Sequence, residues 1–104
     1  ENLVWGEKGG PEGMADCFRA FGWNAVVIDG TNMQEIDEAL GSLPPVTLDG
    51  KPNAIICSTK KGQGVGFMME RPCAWHVGGF GKETLDEAVA DIQEYTKQKL
   101  AEVK

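Results

Sequence analysis

The chain has 104 residues, with ten Lys and Arg against sixteen Asp and Glu, a net charge of -6 and an apolar share of 41%. That is the size of one small domain with enough apolar residues for a core. The acidic balance disfavours nucleic acid and membrane surfaces as partners. No apolar run approaches the roughly 20 residues of a bilayer-spanning helix. Cys17, Cys57 and Cys73 lie far apart with one histidine for company. Their spacing excludes a zinc knuckle, offers no metal-ligand set, and makes a poor disulfide framework. The expectation is a reducing cytoplasm, with no basic-then-apolar leader in view.

In chain order, residues 1–13 are rich in glycine and read as an irregular segment. Met14, Cys17, Phe18 and Phe21 recur at helical spacing, which predicts a helix over 12–21 stopped by Gly22. Ala25-Val26-Val27-Ile28 is a continuous β-branched run, the pattern of a strand covered on both faces in a parallel sheet. Asn32 is placed to cap the next helix, with Glu35 reaching back as in a capping box. Met33, Ile36, Ala39 and Leu40 form that helix's apolar face, and Gly41 and Pro44-Pro45 end it. A second buried-type strand, Ala54-Ile55-Ile56-Cys57, completes a strand-helix-strand unit.

Residues 58–81 show no periodicity and read as a long functional loop. From Lys82 to the end, Leu85, Ala88, Val89, Ile92, Tyr95, Leu100 and Val103 make a stripe at helical spacing. Acids fill the first turns of this helix and lysines the last, as the helix dipole prefers. The sum is a partial α/β domain of about two strands and three helices. Both strands read as buried, yet a two-stranded sheet leaves each with an open edge, so missing strands are expected from elsewhere.

The long loop leaves the carboxyl end of a strand, where parallel sheets bind ligands. It carries Lys60-Lys61-Gly62-Gln63-Gly64-Val65-Gly66. Glycines there let backbone amides approach an anion while a lysine supplies countercharge. No G-K-[ST] follows, so it is not a Walker loop, and no helical pattern opens on it as in a Rossmann fingerprint. Taken alone, such a loop is more often a simple turn. His76, the sole histidine, stands in Ala74-Trp75-His76-Val77-Gly78-Gly79. It reads either as a loop histidine packed beside Trp75 or as a group that binds phosphate and moves a proton.

Four segments in order resemble the transketolase family. They are Phe21-Gly22-Trp23-Asn24 running into Val27-Ile28-Asp29-Gly30; Lys51-Pro52-Asn53-Ala54-Ile55-Ile56; Thr59-Lys60-Lys61-Gly62-Gln63-Gly64-Val65-Gly66-Phe67-Met68; and Ala74-Trp75-His76. The likeness spans roughly Met14 to Leu100. It is to the thiamine-diphosphate-binding half, above all the separate N-terminal subunit of split enzymes. It implies a parallel sheet flanked by helices and thiamine diphosphate with Mg²⁺ at a dimer or subunit interface. The implied activity is transfer of a two-carbon ketol unit between sugar phosphates. It implies His76 as the catalytic and cofactor-facing residue, with Lys61, Gly62 and Gly64 in the loop that brings it there.

Val77 stands where the family has a glycine after Trp-His. The G-D-G with its downstream Asn that holds Mg²⁺ and diphosphate is absent from these residues. The expectation is therefore the C-terminal portion of the cofactor-binding half, incompetent alone. It needs the rest of that domain and the complementary transketolase half as partners, and its imidazole is expected to face inward. The alternative is a non-catalytic binding or assembly module that kept the shape.

Overall fold

The computed structural model describes residues 9–48 and 50–103. They fall into two compact units, the first ending at Thr59 and the second beginning at Lys60. Positions 1–8 of the expected irregular segment lie outside the described residues.

In the first unit, helix α1 spans Gly10–Ala20, starting two residues earlier than its apolar spacing predicts. Residues 10–13 are thus helical, a correction to the irregular reading. The cause is Pro11, whose missing N–H is harmless in a first turn and whose fixed φ suits it. At the other end the amides of Gly22 and Trp23 return to the carbonyls of Arg19 (2.9 Å) and Phe18 (3.0 Å), satisfying the last turn. Arg19 then ties α1 to the sheet. Its Nε and Nη2 donate to the Ala25 carbonyl at 3.2 and 2.9 Å, and its Nη1 donates to Asp16 (2.7 Å) and Glu12 (3.2 Å). These carboxylates, Asp16 foremost, raise the guanidinium pKa further above its ordinary value.

Strands β1 (Asn24–Asp29) and β2 (Asn53–Ser58) pair in parallel, in register from Asn24 with Asn53 to Asp29 with Ser58. The architecture is α/β: α1 packs against both strands, and α2 (Met33–Gly41), which links them, packs against β1. Asn32 caps α2 as predicted, its Oδ1 accepting the amides of Gln34 (3.0 Å) and Glu35 (3.3 Å). Glu35 does not close the expected box on the Asn32 amide. Its carboxylate accepts the Asp29 amide at 2.7 Å and the Asn32 Nδ2 at 3.3 Å, fastening the end of β1 to the start of α2.

The turn after β1 passes close over β2. The Gly30 amide donates to the Ser58 carbonyl at 2.9 Å. A Cβ on Gly30 would lie 2.7 Å from the Cys57 Cβ and 2.8 Å from the Thr59 Cγ2. Gly30→Ala is therefore expected to destabilise the first unit by about 1–3 kcal/mol, the cost of overpacking. Chemical denaturation followed by circular dichroism measures this, and an unchanged midpoint would refute the contact.

The second unit holds α3 (Gly66–Glu70), a 3₁₀ turn (Pro72–Trp75) and α4 (Lys82–Glu102). The stretch 58–81 thus contains two short helical pieces, each too brief to leave a periodic signature. They are joined by edge-on aromatic contacts: Phe67 to Trp75 at 5.0 Å and Trp75 to Phe80 at 6.2 Å between ring centres. Helix α4 begins at Lys82, as its charge pattern predicts.

Among the described residues the buried apolar side chains are Ala15, Ala25, Val65 and Ala88. Val26 on β1 is 45% exposed, against the expectation that both sheet faces are covered. Leu85, Val89 and Ile92 on the α4 stripe are each exposed to nearly half. The helical period holds, but the described residues do not cover the stripe it makes. No described helix is long and apolar enough to cross a membrane.

Candidate functional site in the glycine loop and 3₁₀ turn

The glycine loop is shaped by short backbone closures: Gln63 N–H to the Lys60 carbonyl (3.1 Å), then Val65 N–H to the Gly62 carbonyl (3.0 Å). Gly62 has φ +77°, a left-handed conformation. A Cβ there would stand 2.6 Å from the Met68 Cβ and 3.0 Å from the Met68 carbonyl carbon. Only glycine suits both demands. Gly64 also has positive φ and lies against the Tyr95 ring.

Lys61 and His76 are fifteen residues apart in sequence, and the fold brings Lys61 Nζ to 3.2 Å from His76 Nδ1. An ammonium can only donate, so Nδ1 accepts and the ring proton sits on Nε2. His76 caps the 3₁₀ turn, its amide donating to the Cys73 carbonyl at 3.2 Å, and both side chains are exposed. The expected inward-facing ring is not found; it lies instead on the surface of the second unit.

Toward a ligand the pair offers donors only: the remaining Lys61 protons and the His76 Nε2–H. The amides of Gly62 and Gly64 take part in none of the hydrogen bonds among the described residues. Such a donor set suits phosphate oxygens, which accept only. In this respect the residues fit a diphosphate. Among the described residues no three His, Cys, Asp or Glu stand close enough together to hold a metal ion.

The contacts that secure the loop escape pattern reading. On α4, Asp91 Oδ2 accepts the Gly66 amide at 2.8 Å, and the Tyr95 hydroxyl accepts Gln63 Nε2 at 3.0 Å. A signal is present all the same: Asp91 is an acid amid the apolar stripe, one turn from Tyr95 and Ala88.

Comparison with known proteins bears on this arrangement. The chain is 35% identical over 83 residues to an apulose-4-phosphate transketolase subunit of Phocaeicola vulgatus, covering 80% of this chain and 28% of that protein. It is 37% identical over 82 residues to the 6-deoxy-6-sulfo-D-fructose transketolase subunit SqwG of Clostridium sp., covering 79% and 29%. Rat transketolase matches at 30% over 80 residues, covering 77% of this chain and 12% of the rat protein. Over about four fifths of its length the chain is similar to transketolases and transketolase subunits, which supports a fragment of that family. It spans under a third of the length of these relatives. A match of 83 in 104 residues includes positions 61 to 76 wherever it starts, so the Lys61–His76 pair lies within the part shared with transketolases. No protein-family model and no solved structure matches the chain.

Proposed function

We propose that the chain is the C-terminal portion of the thiamine-diphosphate-binding half of a transketolase-type enzyme that moves two-carbon ketol units between sugar phosphates. When bound, thiamine diphosphate supplies the covalent chemistry of that transfer, and the protein supplies orientation and charge. Lys61 and the amides at Gly62 and Gly64 bind diphosphate oxygens. His76 donates from Nε2 to the diphosphate or substrate and moves a proton at the reacting oxygen. Mg²⁺ is held by residues outside these 104, because no G-D-G occurs among them. The partners are the rest of that domain and the complementary half, with the cofactor at their shared interface.

The observation that carries this reading is the Lys61–His76 contact, made within a stretch shared with subunits of transketolases. The apolar faces left open on β1 and α4 support association with further protein. The three cysteines lie far apart in sequence and make a poor disulfide framework, which supports a reducing, cytoplasmic setting.

Isothermal titration with Mg²⁺ and thiamine diphosphate, on the chain alone and mixed with a complementary half, tests the proposal. Little heat alone and saturable binding with ketol transfer in the complete assembly is the expected result. A second reading, a non-catalytic assembly module, is favoured by the exposure of His76. Absence of cofactor-dependent transfer from the complete assembly would leave that reading standing. Size exclusion with light scattering adds to it: a stable monomer favours the module, obligate association the enzyme portion.

A further inference from the structure

Helix α3 has no side-chain cap of its own, since its N-cap is Val65. The orphan amide at its first position, Gly66, is taken by Asp91 Oδ2 at 2.8 Å, from the middle of α4. One turn further along α4, the Tyr95 hydroxyl accepts Gln63 Nε2 at 3.0 Å, and a Cβ on Gly64 would lie 3.4 Å from its ring. Asp91 and Tyr95 are both half-buried, while Val65 between their two attachment points is buried. The loop is thus held at two points on either side of a buried residue. Lys61 projects from the end of the loop held by Tyr95. The 3₁₀ turn that His76 caps is attached through Trp75 to Phe67, on the helix held by Asp91.

We infer that Asp91 and Tyr95 are positioning residues for the Lys61–His76 pair. Each acts on one member: Tyr95 on Lys61 through Gln63, and Asp91 on His76 through α3 and the aromatic contact. Neither touches a ligand. The inference rests on the reading of that pair as the diphosphate-binding site, but its test does not depend on ligand binding.

His76 is the only histidine in the chain, so its two ring nitrogens are assigned without ambiguity in a long-range ¹H–¹⁵N spectrum. In the full chain, the contact with Lys61 favours the Nε2–H tautomer. Asp91→Ala is expected to lower the Nε2–H to Nδ1–H ratio about threefold, the worth of one lost modest hydrogen bond. Tyr95→Phe, which keeps the ring and loses the hydroxyl, moves it in the same direction. Asp91→Asn retains an acceptor oxygen and restores the ratio. In a Lys61→Met background the ratio is already shifted, and Asp91→Ala adds nothing further.

A general structural role would instead move the ratio equally in both backgrounds, and that result overturns the inference. So does an unchanged ratio in both Asp91→Ala and Tyr95→Phe. If Asp91→Ala unfolds the unit, Tyr95→Phe and Asp91→Asn decide the matter on folded protein, with helix content checked by circular dichroism. Titration of inorganic diphosphate in the same spectra separates the two claims. A tautomer response without any diphosphate-induced shift keeps the positioning role and removes the binding-site reading; the reverse pattern does the opposite.

Discussion

His76→Ala, in a chimera that places this chain in the matched segment of the Phocaeicola vulgatus protein within its assembled enzyme, is expected to lower kcat about 10²–10⁴-fold, the usual worth of positioned proton transfer. The physical basis is the contact with Lys61. With Nδ1 occupied by a donor, the ring presents a proton from Nε2 and holds one orientation. His76→Gln separates two roles. Its amide nitrogen can replace the Nε2–H donor but cannot transfer a proton, so cofactor affinity should persist while turnover falls. Steady-state kinetics at saturating cofactor measure the split. Undiminished turnover in His76→Ala would remove the imidazole from the mechanism.

Gly62→Ala is expected to give the largest stability loss of any single methyl added to the second unit. A side chain at φ +77° costs about 1–2 kcal/mol. Forcing a Cβ to within 2.6 Å of the Met68 Cβ, with backbone at 3.0 Å behind it, adds about 1–3 kcal/mol. Neither term can be relieved by a rotamer change, because the obstacle includes the Met68 main chain. For a domain of this size the melting temperature should fall by roughly 10 °C or more. Gly79→Ala is the control: no atom lies within 4 Å of a Cβ built there, and its effect should stay within about 0.5 kcal/mol. Equal melting temperatures for the two variants would mean the loop does not hold this conformation in solution.

Sequence and structure agree where a pattern repeats over many residues. Twenty-one residues of α4 carry enough 3.6-residue period and charge asymmetry to place its start at Lys82. The β-branched runs mark both strands to within one residue at each end. Asn32 is legible as a cap because its chemistry is local. Short pieces are not legible. A five-residue α3 and a four-residue 3₁₀ turn contain barely one repeat each, so 58–81 looks featureless. The lead into α1 misleads for a related reason: glycines that signal a loop sit beside a proline that starts a helix.

The candidate site divides along the same line. The identity of its donors is evident from residue types and from order along the chain: a lysine, two glycines, and the sole histidine. Their meeting is not, because fourteen intervening positions must fold back through Phe67 and Trp75 before Lys61 reaches His76. Asp91 and Tyr95 are masked within an apolar stripe, since no local rule connects them to partners twenty-five and thirty-two positions earlier. Period and capping are short-range physics, written in neighbouring residues and readable one turn at a time. Which donor faces which acceptor across a fold is set by how buried anchors such as Val65 and Ala88 seat the chain, and that exists only once the molecule has closed on itself.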